Sequence, residues 1–113
     1  MAILIRTHEI VGDPHHHPIK AFAFQFGAHH NYSITLPHDT VNLQFQQGPV
    51  QRVGENGLDD LDLLAVLDNR MQGFAALPDA DRNTVAAAAH IRAALRALKR
   101  RKVLRMTEGS EGK

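Results

Sequence analysis

Residues 59–105 read DDLDLLAVLDNRMQGFAALPDADRNTVAAAAHIRAALRALKRRKVLR, and this stretch decides the fold. Leu61, Leu64, Asp68, Met71 and Phe74 recur at steps of three and four, the spacing of one helix face. A first helix is therefore expected from about Asp59 to Phe74, with acids in its first turn to complement the helix dipole. Gly73 and Pro78 bracket a break. A second helix is expected to start near Asp79 or Asp81, either of which can cap it. Ala86 to Ala89 are strong helix formers and permit close approach of a neighbouring helix. Val85, Ala88, Ile91, Leu95 and Leu98 make its apolar stripe. The short connection makes the pair a helical hairpin.

Upstream of the hairpin the period changes to two. Ile3, Ile5 and Ile10 mark a first extended segment. Phe22, Phe24 and Phe26 alternate with smaller or polar residues, as do Tyr32, Ile34 and Leu36, and then Val41, Leu43 and Phe45. Turn residues separate these runs at Gly12-Asp13-Pro14, Gly27 to Asn31 and Pro37-His38-Asp39. Val50 to Val53 is a candidate for one more short strand. The expectation is an α+β fold: a small N-terminal antiparallel sheet (1–54) followed by a C-terminal two-helix hairpin with a short tail (55–113), together one domain. The chain has 113 residues, few aromatic anchors (five Phe, one Tyr, no Trp) and so a small core; oligomerisation is expected to compensate.

Composition excludes several classes. With 43% hydrophobic and 22% charged residues, the chain is globular rather than disordered. It has no cysteine, which removes disulfides, thiolate metal sites and cysteine nucleophiles. No apolar run is long enough for a membrane helix. The N-terminal residues lack a basic stretch before an apolar one, so a signal peptide is not expected and a cytoplasmic location is. No P-loop, HExxH or GxSxG motif occurs, and no two carboxylates are paired as acid and base.

The net charge of +1 conceals an asymmetry. No acid occurs from Asn83 to Met106, where Arg92, Arg96, Lys99, Arg100, Arg101, Lys102 and Arg105 supply seven of the thirteen Lys and Arg residues. Such a stretch suits an anionic ligand, a solvated helix face, or pairing with the acidic segment around Asp59, Asp60, Asp62 and Asp68. Continuing the second apolar stripe beyond Leu98 reaches Arg101 and Arg105, four apart and thus one above the other. Each guanidinium can donate two parallel hydrogen bonds to a phosphate, so the pair can grip a diphosphate. Phe74 closes the first stripe, where it can pack in the core or stack on a planar base. His15-His16-His17, between Pro14 and Pro18, and His29-His30 in the next turn could bind zinc or nickel. Consecutive side chains diverge, which favours a polar loop over shared coordination, and no metal or cofactor is expected. His90 reads as a packing or interface residue.

The run from Val41 onward resembles a family of small phage proteins. The matching residues begin with Leu43-Gln44-Phe45-Gln46-Gln47-Gly48-Pro49 and continue through Gly54-Glu55-Asn56-Gly57 and Leu63-Leu64. They pass through Arg70-Met71-Gln72-Gly73-Phe74, Ala94-Leu95 and Leu98, and end with Arg101, Arg105, Gly109, Glu111 and Gly112. These residues resemble the first family of Thoeris anti-defence proteins, which shares its helical hairpin with the anti-CBASS sponges. The resemblance spans the later two thirds of the chain, without a gap. It implies a protein that is not an enzyme. Such a protein binds and sequesters, without cleaving it, a cyclic ADP-ribose isomer made by a TIR-domain defence protein in the host cytoplasm. Some members also bind cyclic trinucleotides at a second site. The implied assembly is a dimer that can form hexamers.

The resemblance also implies a pocket. Phe74, Arg101 and Arg105 match the family's stacking Phe and two phosphate-binding Arg residues. The family's Asn falls on Thr84, with Asn83 one residue before it. Lys102 and Glu108 stand where the family has Thr and Arg, so ligand preference is expected to differ. The competing expectation is a nucleic-acid-binding module using the basic helix 92–105, marked by steep salt dependence.

Overall fold

The computed structural model describes residues 2–108; Gly109, Glu111 and Gly112 of the resemblance lie outside the described residues. The fold is α+β. Four strands, β1 (Ile3–Ile5), β2 (Ile19–Gln25), β3 (Ala28–Thr35) and β4 (Thr40–Gln44), precede three helices, α1 (Val50–Val53), α2 (Asp60–Ala75) and α3 (Arg82–Glu108). Two compact units result, one reaching Gly57 and the other starting at Leu58.

The sheet runs β1-β2-β3-β4, every neighbour antiparallel. Its register explains the alternation in β3 and β4; in β2 the apolar rows carry Ile19 and Ala21, whereas Phe22 and Phe24 pair with Asn31 and His29. Ile3, Ala21, Tyr32 and Leu43 form one row across all four strands, and Ile5, Ile19, Ile34 and Val41 form another. Both rows fall on one face. The intervening row of Leu4, Lys20, Ser33 and Asn42 falls on the other. Ala21 is fully buried among its larger neighbours, and Tyr32 meets Phe45 edge to face at 5.7 Å.

The sheet departs from the sequence reading at three places. His29 and His30 lie in β3 rather than in a turn, because the β2–β3 turn needs only two residues, Phe26 and Gly27. Both have positive φ, 56° and 87°, the requirement of a tight hairpin turn. Glycine adopts that conformation without cost, whereas Phe26 does not. Ile10 lies outside β1, 68% exposed. Val50–Val53 forms one helical turn instead of a strand. Pro49 presets its start, and the Pro49 carbonyl accepts from the N–H groups of Arg52 and Val53.

The glutamine-rich motif locks the loop after β4. The Asn56 carboxamide accepts from Gln47 N–H and donates to Gln47 C=O, both at 2.8 Å. Gln46 receives the Asn56 N–H at 3.0 Å and donates to the carbonyls of Gly48 and Gly54. Gln44 donates to the Asn56 carbonyl at 2.5 Å. This folds the loop so tightly that a Cβ on Gly57 would lie 2.6 Å from the Gln44 carbonyl oxygen.

The hairpin unit pairs α2 with α3, with half-buried Leu61, Leu64 and Met71 facing Ile91, Leu95 and Leu98. Ala88 is 3% exposed at its centre. Val85, expected in the stripe, is 48% exposed; Thr84, one residue earlier, is half-buried. Among the described residues no large side chain is fully buried.

Candidate ligand-binding site

The hairpin's two helices begin at capping aspartates. Asp59 accepts the Leu61 N–H at 3.0 Å, and its own N–H is taken by Asp62 at 2.9 Å, a reciprocal cap. Asp81 accepts the Thr84 N–H at 2.8 Å, which caps α3. Hydrogen bonding from the backbone, that of Thr84 first, holds the Asp81 carboxyl below its ordinary pKa.

Three polar links fix how α2 lies along α3. Asp68, 9% exposed, takes two hydrogen bonds from Arg92, Nε to Oδ1 at 3.0 Å and the terminal nitrogen to Oδ2 at 2.8 Å. Gln72 donates to the Ala88 carbonyl at 3.2 Å. Lys102 donates to Asp59 at 2.7 Å. The Arg92 guanidinium draws the Asp68 carboxyl below its ordinary pKa, and Asp68 raises that of Arg92 in return. Burial acts to raise the Asp59 pKa. The hydrogen bonds from Lys102 and Leu61 outweigh it, assisted by the charges of Lys102 and Arg101, so Asp59 also titrates low.

This register places the candidate residues at two ends of the hairpin. Asp68 level with Arg92 and Gln72 level with Ala88 put Phe74 level with Ala86. Asn83 and Thr84 are therefore near Phe74. Arg101 and Arg105 lie farther along α3, by about 22 and 28 Å at 1.5 Å per residue. One chain holds Phe74, Asn83 and Thr84 at one end of the hairpin, and Arg101 and Arg105 at the other. It does not bring the two sets together. Comparison with protein-family models and with curated proteins returned no match.

At the first end, Phe74 is 43% exposed at the end of α2, so its ring is open to solvent rather than buried in a core. The Arg70 guanidinium sits 5.4 Å from the ring centre. Asn83 is exposed, and so is His90, which excludes core packing and leaves the interface reading of that residue. At the other end, Arg105 is half-buried and Arg101 exposed. The acidic segment pairs with part of the basic helix, through Asp68 to Arg92 and Asp59 to Lys102. Arg92 and Lys102 thus have carboxylate partners inside the hairpin.

The histidines of the β1–β2 loop are tied to it locally. His8 lies 2.6 Å from the His17 carbonyl and His16 3.6 Å from Glu9. Among the described residues no group of three His, Asp or Glu side chains is placed to hold a metal ion. Arg70 belongs to the run that carries the resemblance but has no role assigned by it, although its spacing of four from Phe74 is a usable signal. The Asp68–Arg92 pair had no local signal, because its partners are 24 residues apart.

Proposed function

We propose that the protein is a phage-type immune-evasion sponge. It binds a cyclic ADP-ribose isomer made by a TIR-domain defence protein in the host cytoplasm and withholds it without cleaving it. The observation that carries this reading is the division of the hairpin into an aromatic end and an arginine end. Phe74 offers an exposed ring for adenine. Arg101 and Arg105 offer two guanidinium groups, one helical turn apart, for a diphosphate. A single chain holds these groups too far apart for one ligand. Two hairpins packed head to tail bring each aromatic end to the other chain's arginines, giving two equivalent sites. The absence of any fully buried large side chain among the described residues favours such an assembly.

Thr84 stands in the place of the family's Asn and is half-buried, which leaves the exposed Asn83 as the better polar contact. The sequence resemblance supports dimers that build to hexamers and extends to cyclic trinucleotides at a second site. The nucleic-acid reading loses two of its cations, Arg92 and Lys102, to internal pairs. No helix among the described residues is long and apolar enough to cross a membrane.

The test is to incubate the protein with the products of a TIR enzyme, remove unbound molecules and denature the complex by heat. Mass spectrometry of the released material is expected to show an intact cyclic ADP-ribose isomer that still activates the effector. Consumption of the signal, or no depletion of it, overturns the sponge reading.

A further inference from the structure

Arg70 and Phe74 are four residues apart on α2, so their side chains share one face of the helix. The guanidinium carbon lies 5.4 Å from the ring centre, within the range of a cation over an aromatic face. Both side chains are exposed. Among the described residues the ion pairs are made by other cations, so Phe74 rather than a carboxylate is the partner of Arg70. Phe74 is 43% exposed, so solvent reaches its ring.

We propose that Arg70 is a second stacking layer of this site and that a planar heterocycle enters between its guanidinium and the Phe74 ring. This rests on the reading of Phe74 as a base platform. A heterocycle held at about 3.5 Å from each plane needs a gap of about 7 Å. The guanidinium carbon now lies 5.4 Å from the ring centre, so the two planes must separate by at least about 1.6 Å. A solvent-exposed arginine makes that movement by a change of rotamer. The operative property is the flat, delocalised guanidinium and not its charge. A lysine keeps the charge but has no plane to stack, so it cannot replace Arg70.

The chain has no tryptophan, so Phe74→Trp introduces a single fluorescent reporter at the site. The full chain carrying that change is titrated with adenosine, a heterocycle without phosphate, and with ribose 5-phosphate, an anion without a heterocycle. Adenosine is expected to quench the emission, and ribose 5-phosphate is not. Arg70→Lys and Arg70→Gln in the same background are each expected to weaken adenosine binding by about five- to tenfold. Retained affinity in either variant overturns the stacking role, as does an absence of any response to adenosine. The same substitutions are made in the chain with Phe74 intact, and binding of the cyclic ADP-ribose isomer is measured. If the isomer binds equally well with and without Arg70, the inference fails while the sponge stands. If the isomer never binds but adenosine does so in an Arg70-dependent way, the sponge fails while the inference stands.

Discussion

The sheet unit and the hairpin unit are held together by different chemistry. In the sheet, apolar rows lie opposite one another across four strands, and the loop after β4 is locked by neutral amides from Gln44, Gln46, Gln47 and Asn56. In the hairpin, a thin apolar seam is supplemented by Asp68–Arg92 and Asp59–Lys102. Neutral amide pairs hold geometry irrespective of pH and salt. Ion pairs also define a register, but they leave stability dependent on protonation. The residues proposed to bind ligand are all on the hairpin, so conditions that disturb its charges should disturb the site before they disturb the sheet.

The largest effect that would break this comparison lies in the sheet unit. Gly57→Val places a side chain against the Gln44 and Phe45 backbone, where a Cβ alone would already sit at 2.6 Å. It is expected to destabilise the chain by about 3 kcal/mol in urea unfolding. A variant as stable as the parent would show that the amide-locked loop is not rigid. Next, Arg101→Ala and Arg105→Ala are each expected to cost about 1.5–3 kcal/mol in calorimetric binding of the cyclic ADP-ribose isomer. Melting temperature should change little, and unchanged affinity in both variants removes the arginine end from the site.

Asn56→Ala deletes two side-chain hydrogen bonds to Gln47 and is expected to cost about 2 kcal/mol of stability at any pH from 3 to 8. The hairpin should behave oppositely. Asp59, Asp68 and Asp81 all titrate lower in the fold than their ordinary value of 3.8. The folded chain therefore binds their protons more weakly than the unfolded chain. Their stabilisation is complete above about pH 4 and fades as the pH falls through the folded values. Amide exchange followed from pH 6 to pH 3 should show α2 and α3 losing protection before β2 and β3. Equal loss in both units would contradict the contrast. The smallest expected effect is Ala23→Gly. Ala23 has φ of 59°, so glycine should relieve strain and raise stability by about 0.5 kcal/mol, read as a small rise in melting temperature.

Periodicity made most of the architecture legible. The period of two located β3 and β4 because each presents one apolar face, and the three-and-four spacing located α2 and α3; in β2 the phenylalanine alternation marked the strand but not its apolar row, which is Ile19 and Ala21. What failed was local. Val50–Val53 has strand-forming side chains, yet Pro49 and the positive φ of Gly54 make it a single helical turn. His29 and His30 were read as a turn because Phe26 rarely occupies the left-handed region, which hid the two-residue hairpin. Val85 was assigned to the seam, although the interhelical links bring the half-buried Thr84 into line with Ala88 instead. For the candidate site, spacing put Arg101 and Arg105 on one edge of α3. The exposure of Phe74, and its distance from the arginines within one chain, depend on the interhelical register. Long-range pairs set that register, and no local pattern encodes them.

The central claim is that two chains complete each site, the aromatic end from one and the arginine end from the other. Mixing Phe74→Ala with Arg105→Ala, after dissociation and reassembly, tests it directly. Each variant alone should bind the cyclic ADP-ribose isomer poorly. In a mixed pair, one site carries both defects and the other carries neither. Random reassembly should therefore restore about a quarter of the parental sites at the parental affinity. No restoration on mixing, with reassembly verified by native mass spectrometry, would contradict the shared site.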